Sequence, residues 1–260
     1  MILRIMDHSA RTFDDLIAEA DSVSVAGWDF SWLDGRATEE RPPWGYQRLL
    51  GERLRGARAA LDVQTGGGEV LAGATDAYPP TMAATESWPP NQAKATALLH
   101  PRGVLVVATP DERALPFADG AFDLVTSRHP ASTPWDEISR VLRPGGTYLA
   151  QHVGPATSLE LTEYFLGPWP TSGEDRHPDV ETAEARAAGL DVVDLRPARL
   201  RMEFHDVGAV VYFLRKVLWT VPDFSVDRYR DRLREMDAQI RRDGLFLAHS
   251  TRHLFEARKG

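Results

Sequence analysis

The sequence predicts an α/β protein built on a doubly wound sheet, and three features point there. The stretch from Ala60 to Glu69 reads as a buried strand, a glycine turn and the start of a helix. Doubly wound sheets place a ligand site at such a turn, at the carboxyl end of the first strand. Further apolar runs of strand length then alternate with helical spacing through Gln151, the pattern of an α/β sheet. At 260 residues the chain is long enough to bury a sizeable core.

The turn itself is Asp62-Val63-Gln64-Thr65-Gly66-Gly67-Gly68. Glycines let a backbone approach a ligand that a side chain would block. The dinucleotide fingerprint needs a further Gly or Ala three residues after the second glycine, but Leu71 stands there. No Lys-Ser or Lys-Thr completes a phosphate loop. The next run, Met82 to Thr85, ends at Glu86, eighteen residues past Gly68. A carboxylate at this offset can accept from both hydroxyls of a ribose. Ser87 or Asn91 is placed to cap a helix running through Ala93 to Leu99, with Pro89 and Pro90 in its first turn.

Gly103 to Ala108 reads as a fully buried strand from its β-branched content. Asp111-Glu112-Arg113-Ala114-Leu115-Pro116-Phe117 follows, then the strand Phe122 to Ser127. Trp135 to Leu142 has helical spacing, Arg143-Pro144-Gly145-Gly146 stops it, and Thr147 to Gln151 resumes as a strand. This ordered set resembles the class I S-adenosylmethionine (SAM) methyltransferases. Their first motif, acidic-x-Gly-x-Gly-x-Gly, stands here as Asp62-x-Gln64-x-Gly66-x-Gly68, with Gln64 in place of the first glycine. The resemblance covers roughly residues 58 to 155.

The resemblance implies a Rossmann-like, doubly wound seven-stranded sheet with an antiparallel last strand, plus added N-terminal and lid helices. It implies SAM as cofactor, held by Asp62, Gln64, Thr65, Gly66, Gly68, Glu86, Ser87, Asp111, Glu112 and Ser127, with Asp111 accepting from the adenine amino group. Leu190 to Leu195, extended by Arg199 to His205, would be the sixth strand, and Thr251 to Ala257 the seventh.

The rest of the chain reads as additions. Residues 1–57 form an N-terminal helical and aromatic cap, with an amphipathic helix from Phe13 to Ala20 and another opening at Trp44-Gly45-Tyr46 toward Arg55. Residues 58–260 form the methyltransferase domain, with insertions at about 154–180 and 206–245. The first insertion, with Pro155, Pro168, Pro170 and Pro178, reads as loop-rich. The second reads as helices from Asp206 to Leu218 and from Ser225 to Arg242.

Methyl transfer needs a nucleophile held in line and, for a protonated acceptor, a base. His129, at the end of the fourth strand of the resemblance, is the first candidate base, His152 the second and His205 the third. Trp28, Trp32, Trp44, Tyr212 and Trp219 can wall an apolar substrate pocket or pack the added helices. The histidines, with no cysteine in the chain, form no complete metal-ligand motif, so no metal is expected. The chain has no cysteine, which excludes a disulfide framework and a thiol nucleophile and fits the cytoplasm. No apolar run reaches the length of a membrane span, and Met1 to His8 is too short and charged for a secretory core. A net charge of −8 is the wrong sign for holding a polyanion. The expected partner is therefore a small-molecule substrate, with homodimerisation open. A ribosomal or transfer RNA base methyltransferase, and a catalytically silent SAM-fold binding protein favoured by Gln64, are the alternatives.

Overall fold

A computed structural model describes residues 11–110, 114–169 and 176–260. They fall into two compact units.

The first unit comprises described residues within 11–41, 156–169 and 199–250. Its helices are α1 (Phe13–Ser22), α6 (Leu159–Leu166), α8 (Val207–Lys216) and α9 (Arg230–Asp243). A capping box starts α1: Thr12 Oγ1 accepts from the Asp15 amide at 3.2 Å, and the Asp15 carboxylate accepts from the Thr12 amide at 3.0 Å. Helix α8 is apolar nearly all round, because it is the centre of this unit's core with Leu16, Leu161, Phe204, Leu233 and Met236. Asp206 caps it by accepting from the Ala209 amide at 2.9 Å. Asp206 also holds Arg36 through two contacts of 2.8 and 2.9 Å, both side chains being buried. The short strand β1 (Ala37–Glu39) pairs antiparallel with Met202–Phe204, the far end of β7 (Leu190–Phe204).

The second unit comprises described residues within 42–155, 176–198 and 251–260. Its strands are β2 (Ala59–Val63), β3 (Thr81–Glu86), β4 (Leu105–Ala108), β5 (Phe122–Arg128) and β6 (Leu142–Val153), with the near part of β7 and the C-terminal part of β8 (Phe246–Lys259). Their order is β7-β8-β6-β5-β2-β3-β4. The β4, β3, β2, β5 and β6 neighbours are parallel, and β8 runs antiparallel to β6. Helices α2 (Tyr46–Gly56), α3 (Glu69–Ala72) and α4 (Pro89–Leu99) share one core with Leu124, Leu149 and Leu254. Helix α5 (Trp135–Val141) and α7 (Pro178–Ala187) share the other with Leu61, Val125, Tyr148 and Phe255. Because successive strand residues point to opposite faces, Asp62, Glu86, Thr126 and Gln151 share the first face, and Ser127, His152 and His253 the second.

Several expectations are corrected. Among the described residues the sheet has eight strands, because β1 adds to β7. Helix α2 lies in the second unit, where its Leu49, Leu50 and Leu54 share a core with Leu124 and Leu149. Strand β4 is the sheet's edge, with Leu105 57% exposed, so it is not fully buried. Neither Ser87 nor Asn91 caps α4; Trp88 holds that position without a side-chain bond, and Pro89 and Pro90 open the helix. The stretch between Pro155 and Pro168 contains a helix, α6, because its eight residues include no proline. Helix α9 starts at Arg230, five residues later than expected. Among the described residues no helix is long and apolar enough to cross a membrane.

Candidate active site

The ends of the parallel strands β2 and β3 meet at the glycine turn. Glu86 is buried there, and its carboxylate accepts three backbone amides: Gly66 at 2.7 Å, Ser87 at 3.1 Å and Trp88 at 2.9 Å. The turn is also pinned by Thr65 N–H to Thr85 O at 2.9 Å and Gln64 N–H to Thr85 Oγ1 at 3.2 Å. Gly66 has φ +65° and open space where a Cβ would stand. A Cβ on Gly68 (φ +85°) would meet Leu99 at 2.8 Å, so glycine there lets α3 pack on α4. An open backbone beside a buried carboxylate fits the ribose and amino-acid portions of SAM.

Asp62 lies on the same face, 8% exposed, with Thr126 Oγ1 donating to it at 2.6 Å. Burial pushes its carboxyl up to about 6, against the lowering effect of the Thr126 hydroxyl. A folded pKa above the usual 3.8 favours the protonated form. Asp62 therefore contributes stability below about pH 4, and this contribution is lost as pH rises through about 6. If Asp62 holds the cofactor, its ionised form is the one that would attract the cationic end of SAM. SAM affinity is expected to rise between pH 5 and pH 7, with proton release at pH 6, and Asp62→Asn should flatten that profile. Titration calorimetry in two buffers of different ionisation enthalpy reads both effects; a flat wild-type profile would remove Asp62 from cofactor binding.

Gln64 takes the left-handed conformation, φ +56°, that its position in the motif assigns to glycine. Its side chain compensates. Oε1 accepts from the Ala131 amide at 2.7 Å and Nε2 donates to Ser132 O at 2.8 Å, tying the turn to the segment after β5. His129, at the end of β5, is also left-handed, φ +57°, and its amide donates to Gln151 O at 2.7 Å. Strained backbone of this kind persists where surrounding bonds over-determine it.

A chain of side-chain bonds sets the state of His129. Trp44 Nε1–H can only donate, and it donates to Gln151 Oε1 at 2.8 Å. That fixes the amide, so Gln151 Nε2 donates to His129 Nε2 at 2.8 Å, and the ring proton sits on Nδ1. Burial, aided by Arg128 and Arg252, pushes His129 well below its ordinary pKa, so it is neutral at pH 7.

The other expected residues separate. Ser127 is buried, donating its hydroxyl to Val63 O at 2.9 Å and accepting Tyr46 Oη–H on its carbonyl at 2.9 Å. Its side chain is therefore directed into the sheet. Asp111 and Glu112 lie outside the described residues. Trp28, Trp32, Tyr212 and Trp219 belong to the first unit, where Trp32 meets Tyr212 at 4.8 Å and Trp28 meets Trp219 at 5.7 Å. His205 belongs there too, 3.7 Å from Glu203. His152 faces away from Gln151 into the second core, bonded to Tyr148 Oη at 3.0 Å and Glu181 at 2.9 Å. Burial pushes His152 below its ordinary pKa despite Glu181, and the two imidazoles outweigh burial at Glu181 and hold it at about 2. Sequence reasoning missed Gln151 and Tyr46. Both stand on regular elements, where their only signal is polarity among apolar neighbours.

An acid on β2, a glycine turn, and a second acid ending β3 on a mostly parallel sheet with an antiparallel C-terminal strand make up the Rossmann-like methyltransferase fold. Residues 61–150 match the family model described as "Methyltransferase domain". No curated protein sequence matches the chain. Among solved structures, the YcgJ protein of Bacillus subtilis superposes with a TM-score of 0.59 at 16% identity, covering 82% of this chain and 97% of that one. A candidate methyltransferase of Bacillus halodurans gives 0.57 at 18% identity, covering 82% and 96%. The cyclase SpnF gives 0.51 at 21% identity, covering 82% and 79%. At these identities the likeness is one of fold.

Proposed function

We propose that the chain transfers a methyl group to a small-molecule acceptor placed outside the carboxyl ends of β5 and β6. When bound, SAM supplies a methyl group already activated on a sulfonium. The protein's own residues do the rest. Asp62 and Glu86 orient the cofactor, Gln64 holds the segment after β5 in place, and His129 meets the acceptor. The single observation that carries the reading is the Trp44–Gln151–His129 chain. It delivers a neutral imidazole of fixed tautomer at the strand ends where ligands of this architecture bind. Its Nε2 lone pair becomes available to an acceptor's proton when Gln151 yields it. The net charge of −8 favours a small acceptor over RNA.

The experiment offers methyl-labelled SAM and purified protein a low-molecular-mass extract in one tube and unmodified ribosomal and transfer RNA in another. Label is expected in the small-molecule fraction. Stoichiometric labelling of RNA would replace the reading with the RNA alternative. SAM binding with no transfer to either would favour the binding-protein alternative.

A further inference from the structure

Spacing along the chain gives no metal-ligand set, yet the fold assembles one. His152 on β6 and His253 on β8 stand directly opposite each other in the antiparallel pair. Residues so paired on one face are near neighbours. Glu181, from the first turn of α7, reaches both of them. Its Oε2 lies 2.9 Å from His152 Nδ1 and 2.5 Å from His253 Nε2. All three residues are buried, at 2%, 1% and 6% exposure, and their donor atoms lie within 4.8 Å of one another.

We propose that His152, Glu181 and His253 bind a divalent transition-metal ion, Zn²⁺ being the fitting species. Two imidazole nitrogens and one carboxylate oxygen are a donor set of suitable type and number for a three-ligand zinc centre. Around an ion about 2.0–2.1 Å from each ligand, tetrahedral donors stand roughly 3.3 Å apart. Binding therefore spreads the present contacts by less than an ångström. An outer layer is already in place. Tyr148 Oη holds His152 Nε2 at 3.0 Å, which orients Nδ1 inward, and Phe255 stacks on the ring at 5.7 Å. Two of the three ligands, His152 and Glu181, line a cavity of about 280 Å³ together with Ser132, Thr133, Trp135, Arg176 and Glu184. That cavity supplies an entry path and room for water or an anionic ligand.

This centre is on the opposite sheet face from Asp62 and Gln151, so it does not depend on the proposed acceptor chemistry. The test is metal uptake by the full chain after chelator treatment, using Zn²⁺ with a competing chromophoric chelator and Co²⁺ by its visible absorption. One ion per chain is expected, with a rise in melting temperature on adding Zn²⁺. His253→Ala and Glu181→Gln should each weaken uptake at least hundredfold. His177→Ala, an exposed histidine at the start of α7, should leave uptake unchanged. The wild-type protein decides first. Folded wild type that takes up no stoichiometric Zn²⁺ or Co²⁺ overturns the proposal, whatever the variants do. Uptake equal in wild type and in folded Glu181→Gln overturns it as well, since the ion would then sit elsewhere.

Discussion

Glu86→Ala is expected to weaken SAM binding at least tenfold and, separately, to destabilise the protein by about 2–4 kcal/mol. The two effects have different causes. The first follows from the proposed role of Glu86 and would be the loss of a charge-assisted bond from a ribose hydroxyl to Oε2, which accepts one amide where Oε1 accepts two; such a bond is worth about 1.5–3 kcal/mol, where 1.4 kcal/mol is tenfold in affinity. The second follows from the turn. Three backbone amides, on Gly66, Ser87 and Trp88, lose the carboxylate that accepts them, and unsatisfied donors cost about 1–3 kcal/mol each when water cannot replace the partner. Calorimetry at a temperature where the variant is folded reads the first effect; denaturant melts read the second. Lower stability with unchanged SAM affinity would reduce Glu86 to a residue that holds the turn.

His129→Ala is expected to lower turnover about a hundredfold while SAM affinity stays near that of the wild type. A positioned general base contributes roughly 10²–10⁴-fold. His129 has two features of one, being neutral at pH 7 because burial depresses its pKa and having its tautomer set through Gln151, while its Nε2 lone pair serves as a base only once Gln151 releases it. The sign for pH follows. With a pKa well below 6.5, the imidazole stays unprotonated through neutral pH, so the acid limb of kcat, read at saturating SAM so that Asp62 does not contribute, should lie below the ordinary histidine range. In His129→Ala that limb should vanish. Unchanged turnover per folded molecule would leave the reaction to positioning alone, which suits acceptors that are nucleophilic without losing a proton.

The aromatic residues show how far composition reaches. Trp28, Trp32, Trp44, Tyr212 and Trp219 look alike in the sequence, as large apolar groups near added helices. Only Trp44 bonds into the chain leading to His129; in the first unit Trp32 meets Tyr212, while Trp28 and Trp219 meet each other with more than half of each exposed. Burial area alone does not separate a core aromatic from one at a site; the indole N–H and its partner do.

The sequence by itself determined the ordered units from Asp62 to Gln151. Strand, glycine turn and helix are local events, written in short apolar runs, in residues permitting φ above zero and in breakers such as Pro144-Gly145. The two acids near the turn are legible there too, because Glu86 ends β3 and Asp62 stands one residue before the end of β2. Tertiary structure decided what depends on residues far apart. It made β4 an edge and added β1 to β7. It turned Gln64 from a missing glycine into a tie to Ala131 and Ser132, 67 and 68 residues away. It brought Glu181 between His152 and His253, which lie 29 and 72 residues from it. Pairing across strands follows sheet register and helix packing, and neither leaves a fixed spacing along the chain.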